Sequence, residues 1–127
     1  MSDRVALDTS ALMMPVECGV RLFEELDRLV PAADPVVPSS VVAELDALSK
    51  GGGEEADAAS VGRDLVERCS VVESGAGYAD DAIVELAGDG RVDYVATNDR
   101  DLADRVRSRG VPVIGLRGRN KLAVTQP

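Results

Sequence analysis

The chain has no histidine and no tryptophan, and only one phenylalanine, two tyrosines, two cysteines and two lysines among its 127 residues. Without histidine there is no Ser-His-Asp triad, no Cys-His dyad and no imidazole proton relay. Two cysteines cannot complete a thiolate zinc site. Cys18 and Cys69 are also too few for a disulfide framework, so both are expected to be reduced and buried. RNA modules that stack bases need aromatic platforms, which only Phe23, Tyr78 and Tyr94 could supply. No window reaches the roughly 18 apolar residues of a membrane span. Met1-Ser2-Asp3-Arg4 leads straight into a strand, with no signal-peptide apolar region. The expectation is a cytoplasmic protein without a membrane partner.

Charge, by contrast, is plentiful and uneven. Aspartate (14) outnumbers glutamate (9), arginine (12) outnumbers lysine (2), and the formal net charge is -9. A dense carboxylate surface with few lysines fits a halophilic interior, where salt screens self-repulsion. Most of these acids are expected to be solvated surface. Residues 1–99 hold 21 acids and 7 bases, giving -14, whereas residues 100–127 hold 2 acids and 7 bases, giving +5.

Apolar patterning predicts alternating strands and helices. Arg4 to Asp8 reads as a buried strand, with Thr9 and Ser10 as turn and cap residues. Pro15 suits a first helical turn. Behind it Val16, Val20, Phe23, Leu26, Leu29 and Val30 share one helical face as far as Pro31. A short strand is expected over Pro35–Pro38, then a helix capped by Ser39 or Ser40 and carrying Val41, Val42, Leu45 and Leu48. Gly51 to Asp57 reads as an exposed, mobile loop. A helix over Ala58–Cys69, a strand over Ser70–Glu73 and a helix over Asp80–Ala87 follow. The pattern ends with a strand over Val92–Ala96, a helix over Asp99–Arg109 stopped by Gly110, and a strand over Val111–Leu116. The strands are apolar runs, so the fold class is α/β, with a parallel sheet of about five strands sandwiched between helices. One domain is expected over residues 1–117, followed by a basic tail over residues 118–127.

In open α/β sheets, ligands sit beyond the carboxyl ends of the strands, and four acids fall there. Asp8 closes the first strand, Glu44 lies one turn into the helix after the second, Asp80 opens the helix after the third, and Asp99 follows the fourth. Glu44 falls along the apolar stripe of its helix, where an unpaired carboxylate is costly to bury. Asp80 precedes Ile83, Val84 and Ala87 on one face, and Asp81 is turned about 100 degrees away. Each acid also has a plain structural reading: an Asx turn for Asp8, and helix caps for Asp80 and Asp99. Taken together, clustered carboxylates repel one another, and oxygen-seeking Mg²⁺ or Mn²⁺ relieves that conflict. With no histidine, water activation falls to the metal, which suits phosphodiester hydrolysis.

These segments resemble the motifs of PIN-domain ribonucleases. The first is Val5-Ala6-Leu7-Asp8-Thr9-Ser10, the second Pro38-Ser39-Ser40-Val41-Val42-Ala43-Glu44-Leu45, the third Asp80-Asp81-Ala82-Ile83, and the fourth Val95-Ala96-Thr97-Asn98-Asp99-Arg100-Asp101-Leu102. The resemblance runs from residue 4 to about 117. It implies a PIN-like sheet, with Asp8, Glu44, Asp80 and Asp99 as catalytic and metal-binding acids. Thr9, Asp81, Thr97 and Asp101 would stand beside the ion, Asp101 as a frequent fifth acid. The implied activity is Mg²⁺- or Mn²⁺-dependent endoribonuclease cleavage of single-stranded or structured RNA, and homodimers are common among such relatives. Asp80-Asp81-Ala82-Ile83-Val84 and Gly110–Arg117 look more like the branch acting on ribosomal RNA precursors. Toxin ribonucleases of toxin–antitoxin pairs are the nearest rival, and a non-catalytic RNA-binding or assembly factor is the other. A phospho-acceptor receiver domain is disfavoured, because Arg117 rather than lysine follows the last strand.

The basic end has two readings. Arg105, Arg107 and Arg109 complement a helix dipole. Arg117, Arg119 and Lys121 follow a strand's carboxyl end and are the expected RNA-binding edge.

Overall fold

A computed structural model describes residues 2–127. Six strands, β1 (Arg4–Leu7), β2 (Asp34–Pro38), β3 (Ser70–Val72), β4 (Tyr94–Ala96), β5 (Val113–Arg117) and β6 (Lys121–Thr125), form one sheet in the order β3-β2-β1-β4-β5-β6. The first five run parallel, and β6 pairs antiparallel with β5. The consecutive residues Val5, Ala6 and Leu7 are all fully buried, so β1 is covered on both faces. This is why it reads as an unbroken apolar run.

Helices α1 (Thr9–Glu17), α2 (Leu22–Leu29), α3 (Ser39–Ser49), α4 (Gly53–Leu65), α5 (Ala79–Gly88) and α6 (Arg100–Arg107) fill the connections. Helix α4 packs across α1 and α3, while α5 packs on β1, β2 and β4 beside α6. The chain steps from β1 to β2 on one side and returns to β4 on the other. The crevice between the carboxyl ends of β1 and β4 is therefore the topological switch point, where such sheets hold ligands. No helix of the described residues is long and apolar enough to cross a membrane.

Four expectations are corrected. The single helix expected up to Pro31 is two helices, broken where Gly19 takes a left-handed φ of 66°, a conformation open to glycine without steric cost. Pro15 lies inside α1 and not in a first turn. The loop expected over Gly51–Asp57 is mostly the start of α4, where Glu54 and Glu55 favour a helix N-terminus. The basic tail is no tail. Leu122 is buried, and residues 121–125 form β6, which makes the sheet six-stranded.

Candidate functional site

Asp8 is the residue that the switch point buries. It stands at the N-cap of α1, where Oδ1 accepts from the Ala11 amide at 2.8 Å. Its backbone N–H continues the β1–β4 ladder to the Ala96 carbonyl. Ser10 Oγ lies 2.9 Å from both carboxylate oxygens, and Thr97 Oγ1 donates to Oδ2 at 2.5 Å. Thr97 is aimed in turn by the Asp99 amide, which donates to the same hydroxyl at 3.0 Å. Only 3% of Asp8 is exposed, and burial pushes its carboxyl from 3.8 up to about 6, against the lowering effect of these hydrogen bonds. No arginine or lysine pairs with it among the described residues. A carboxylate in such a place lacks its compensating charge.

Asp8, Thr9, Ser10, Glu44, Asp80 and Asp99 line one open cavity of about 230 Å³. Asp80 lies in the first turn of α5, but Tyr78 is the N-cap, so the capping reading of Asp80 does not apply. Its carboxyl is raised by partial burial, then by Asp99 and Glu44, with Arg105 acting against them. Asp81 is held away by Arg105, whose Nη2 donates to Oδ1 at 2.8 Å. Asp99 does cap α6, accepting from the Leu102 amide at 3.0 Å. Capping and lining the cavity thus coexist in one side chain.

Glu44 corrects the sequence reading. It lines the cavity, but it is exposed. An exposed carboxylate on an open cavity carries no burial cost. Asp101, the expected fifth acid, does not line the cavity. Three residues outside the expected site also line the wall: Ser10, read as a turn or cap residue ending the first motif, and Glu17 and Glu55. Glu55 escaped notice because its segment read as loop. A glutamate three residues into a helix facing α1 carried the signal.

The donor set is all oxygen, as Mg²⁺ and Mn²⁺ require. Thr9 Oγ1 is buried without a hydrogen-bond partner among the described residues, a donor atom left for something else. Among the described residues, no three acids or cysteines converge closely enough to enclose an ion unaided. This suits an ion such as Mg²⁺, which keeps several waters and takes one or two carboxylates.

The basic residues divide. Arg117 and Arg119 are exposed at the β5–β6 turn, on the edge of the sheet that carries the site. Lys121 turns instead toward Glu25, with Nζ 3.9 Å from Oε2. Arg105 belongs to Asp81, and Arg107 pairs with Asp104 within α6.

Residues 5–119 match the family model described as a PIN like domain. The chain belongs to this PIN-like family. Ribonuclease VapC4 of Methanocaldococcus jannaschii is 26% identical over 118 residues, 90% of each chain. The structure also matches that of the PIN domain endonuclease Utp24 with a TM-score of 0.79 and 30% identity, covering 98% of this chain and 92% of the other. A domain of a functionally unknown protein from M. jannaschii matches with a TM-score of 0.66 and 19% identity, over 92% and 93% of the two chains, and shows the fold alone. The PIN-like sheet accounts for the order of the acids: each follows a different strand, and the topology folds those ends together.

Proposed function

We propose that this PIN-like protein is a divalent-metal-dependent endoribonuclease. The observation that carries the reading is Asp8. It is a buried carboxylate without a cationic partner, clamped by two hydroxyls and an amide, at the switch point and within one cavity with Asp80, Asp99 and Glu44. Asp8, Asp80, Asp99 and Glu44, with Thr9 Oγ1, are the residues from which one or two carboxylates, completed by waters, would hold Mg²⁺ or Mn²⁺. When bound, the ion lowers the pKa of water and offsets charge on the phosphate.

The chain's own part is positioning. Thr97 and Ser10 fix the Asp8 carboxylate so that its direction is set before any ligand arrives. The rim acids Glu44 and Asp80 are open to solvent and can take a proton or a hydrogen bond from water at the cavity mouth. Arg117 and Arg119 serve as the phosphate-binding edge, with Lys121 contributing charge beside them; all three attract the RNA backbone. Processing of ribosomal RNA precursors is the role we favour. It rests on Asp80-Asp81-Ala82-Ile83-Val84, on Gly110–Arg117 and on the 30% identity with an endonuclease over nearly the full chain.

Cleavage of single-stranded RNA with Mn²⁺, in salt suited to an acidic protein, tests the reading on wild type and Asp8→Asn. We expect cleavage by wild type and none by the variant. No cleavage with any divalent ion leaves a non-catalytic RNA-binding factor. The similarity to ribonuclease VapC4 favours a second reading, in which the same chemistry serves a toxin silenced by an antitoxin protein. Growth arrest on expression, relieved by a neighbouring gene, would select it.

A further inference from the structure

A second groove, of about 230 Å³, opens between α6 and the β5–β6 pair, and Asp99 lines both it and the carboxylate cavity. The two depressions therefore adjoin at one side chain. Its apolar lining is buried Ala103 and Val113 and half-buried Leu116, set between Thr97 and Thr125, and Gly115 adds no side chain to it. The walls carry Asn98, Arg100 and Arg107. Asn98 is tethered to the site through its backbone N–H, which donates to Ser10 Oγ at 2.9 Å, the hydroxyl that also holds Asp8; its side chain is exposed. Arg100 has no ion-pair partner among the described residues, and Arg107 is half-buried beside Asp104.

A few apolar side chains among polar ones, two guanidinium groups and an exposed side-chain amide on an anchored backbone suit a single unpaired nucleotide. Unstacked RNA bases rest on aromatic rings or on arginine planes. With Phe23, Tyr78 and Tyr94 all absent from the groove, the arginines are the available platform. An asparagine amide offers both a donor and an acceptor to a base edge. We propose that this groove seats one unpaired RNA nucleotide next to the scissile phosphate, with Arg100 and Arg107 holding the base and its phosphate and Asn98 setting base preference. The proposal rests on the endoribonuclease reading and adds where the strand leaves the carboxylate cavity.

The test separates the two. Fluorescence anisotropy of the full chain without divalent ions is measured on short single-stranded RNAs varied one position at a time. Cleavage with Mn²⁺ is measured in parallel on the same RNAs. Arg100→Ala and Arg107→Ala should each weaken binding about fivefold or more, the lower end of what one stacked base is worth. Asn98→Ala should leave mean affinity near wild type but flatten the preference at one position. Arg107→Lys keeps the charge and loses the plane, so it should weaken binding as Arg107→Ala does while the salt dependence and base preference stay unchanged. The groove assignment is overturned if all four variants keep the wild-type preference, or if they weaken every RNA equally and only through the salt dependence. A chain that binds with this preference but cleaves nothing overturns the nuclease reading and leaves the groove. A chain that cleaves, with preference untouched by the variants, does the reverse.

Discussion

Arg105 holds Asp81 at 2.8 Å, so of the two adjacent aspartates only Asp80 lines the carboxylate cavity. Both partners are about half exposed, and an exposed ion pair adds little stability. Its consequence is orientation, because it ties the start of α5 to α6, the helix that Asp99 caps. Asp80→Asn should lower single-turnover RNA cleavage by about 100-fold or more, the scale of losing a catalytic group. Asp81→Asn and Arg105→Ala should each cost several-fold at most, and the exchanged pair Asp81→Arg with Arg105→Asp should recover most of that loss. An Asp81→Asn variant as inactive as Asp80→Asn would reverse the assignment.

Asp8 makes the stability of the metal-free protein depend on pH. Its carboxyl titrates near 6 in the fold against an ordinary 3.8. The folded state therefore holds the proton more tightly than the unfolded chain. The Asp8 contribution to stability is most favourable below about 3.8, declines as pH rises from there to 6, and carries the full penalty above 6. The penalty is on the order of 2–3 kcal/mol. Asp8→Asn removes this titration and keeps the helix cap. Urea denaturation in chelator should find the variant more stable than wild type near neutral pH, with the gap closing toward about pH 4. Added Mn²⁺ should stabilise wild type more than the variant.

Glu25 titrates in the opposite sense. The Arg28 guanidinium and the Leu122 amide hold its carboxyl down to about 2, from an ordinary 4.5. Its contribution is present above 4.5 and lost as pH falls toward 2. Because Oε1 accepts from Leu122 at 2.9 Å, this side chain pins β6 to α2. Glu25→Ala orphans a buried amide and should cost on the order of 1–3 kcal/mol. Glu25→Gln should cost less, and its deficit should vanish near pH 2. Thermal melting across that range checks the sign.

Gly62 is where α4 crosses α1. A Cβ there would lie 2.9 Å from the Leu12 carbonyl oxygen and 3.2 Å from its carbon. Glycine to alanine within an exposed helix gains about 1 kcal/mol. Here the backbone contact reverses the sign, and Gly62→Ala should lose about 1–3 kcal/mol through overpacking. Since Asp8 caps α1, Mn²⁺ affinity should fall with it. Denaturation and metal titration of the same variant read both effects.

The sequence by itself determined the alternation of elements, the parallel sheet and the position of four acids after four strands. Apolar runs such as Val5-Ala6-Leu7 and Val95-Ala96 are local signals of a strand buried on both faces, and they need no tertiary information. Asp8 was legible because an acid ending such a run has nowhere to go but the sheet's edge. Helix ends were less legible: Gly19 breaks a stripe whose apolar spacing continues unbroken, and Glu54 and Glu55 start a helix inside what glycines make look like loop. Tertiary structure alone decided the rest. It exposed Glu44 although Val41 and Leu45 of the same helix are fully buried, because Glu44 borders an open cavity. It gave Asp81 to Arg105, 24 residues away, and recruited Ser10, Glu17 and Glu55 to the wall. It also folded the basic end back as β6, because Leu122 had a buried place beside Glu25 that no local pattern records. The absence of histidine and the scarcity of aromatics narrowed the chemistry from the start, but which oxygens and arginines replace them depended on chain crossings distant in sequence.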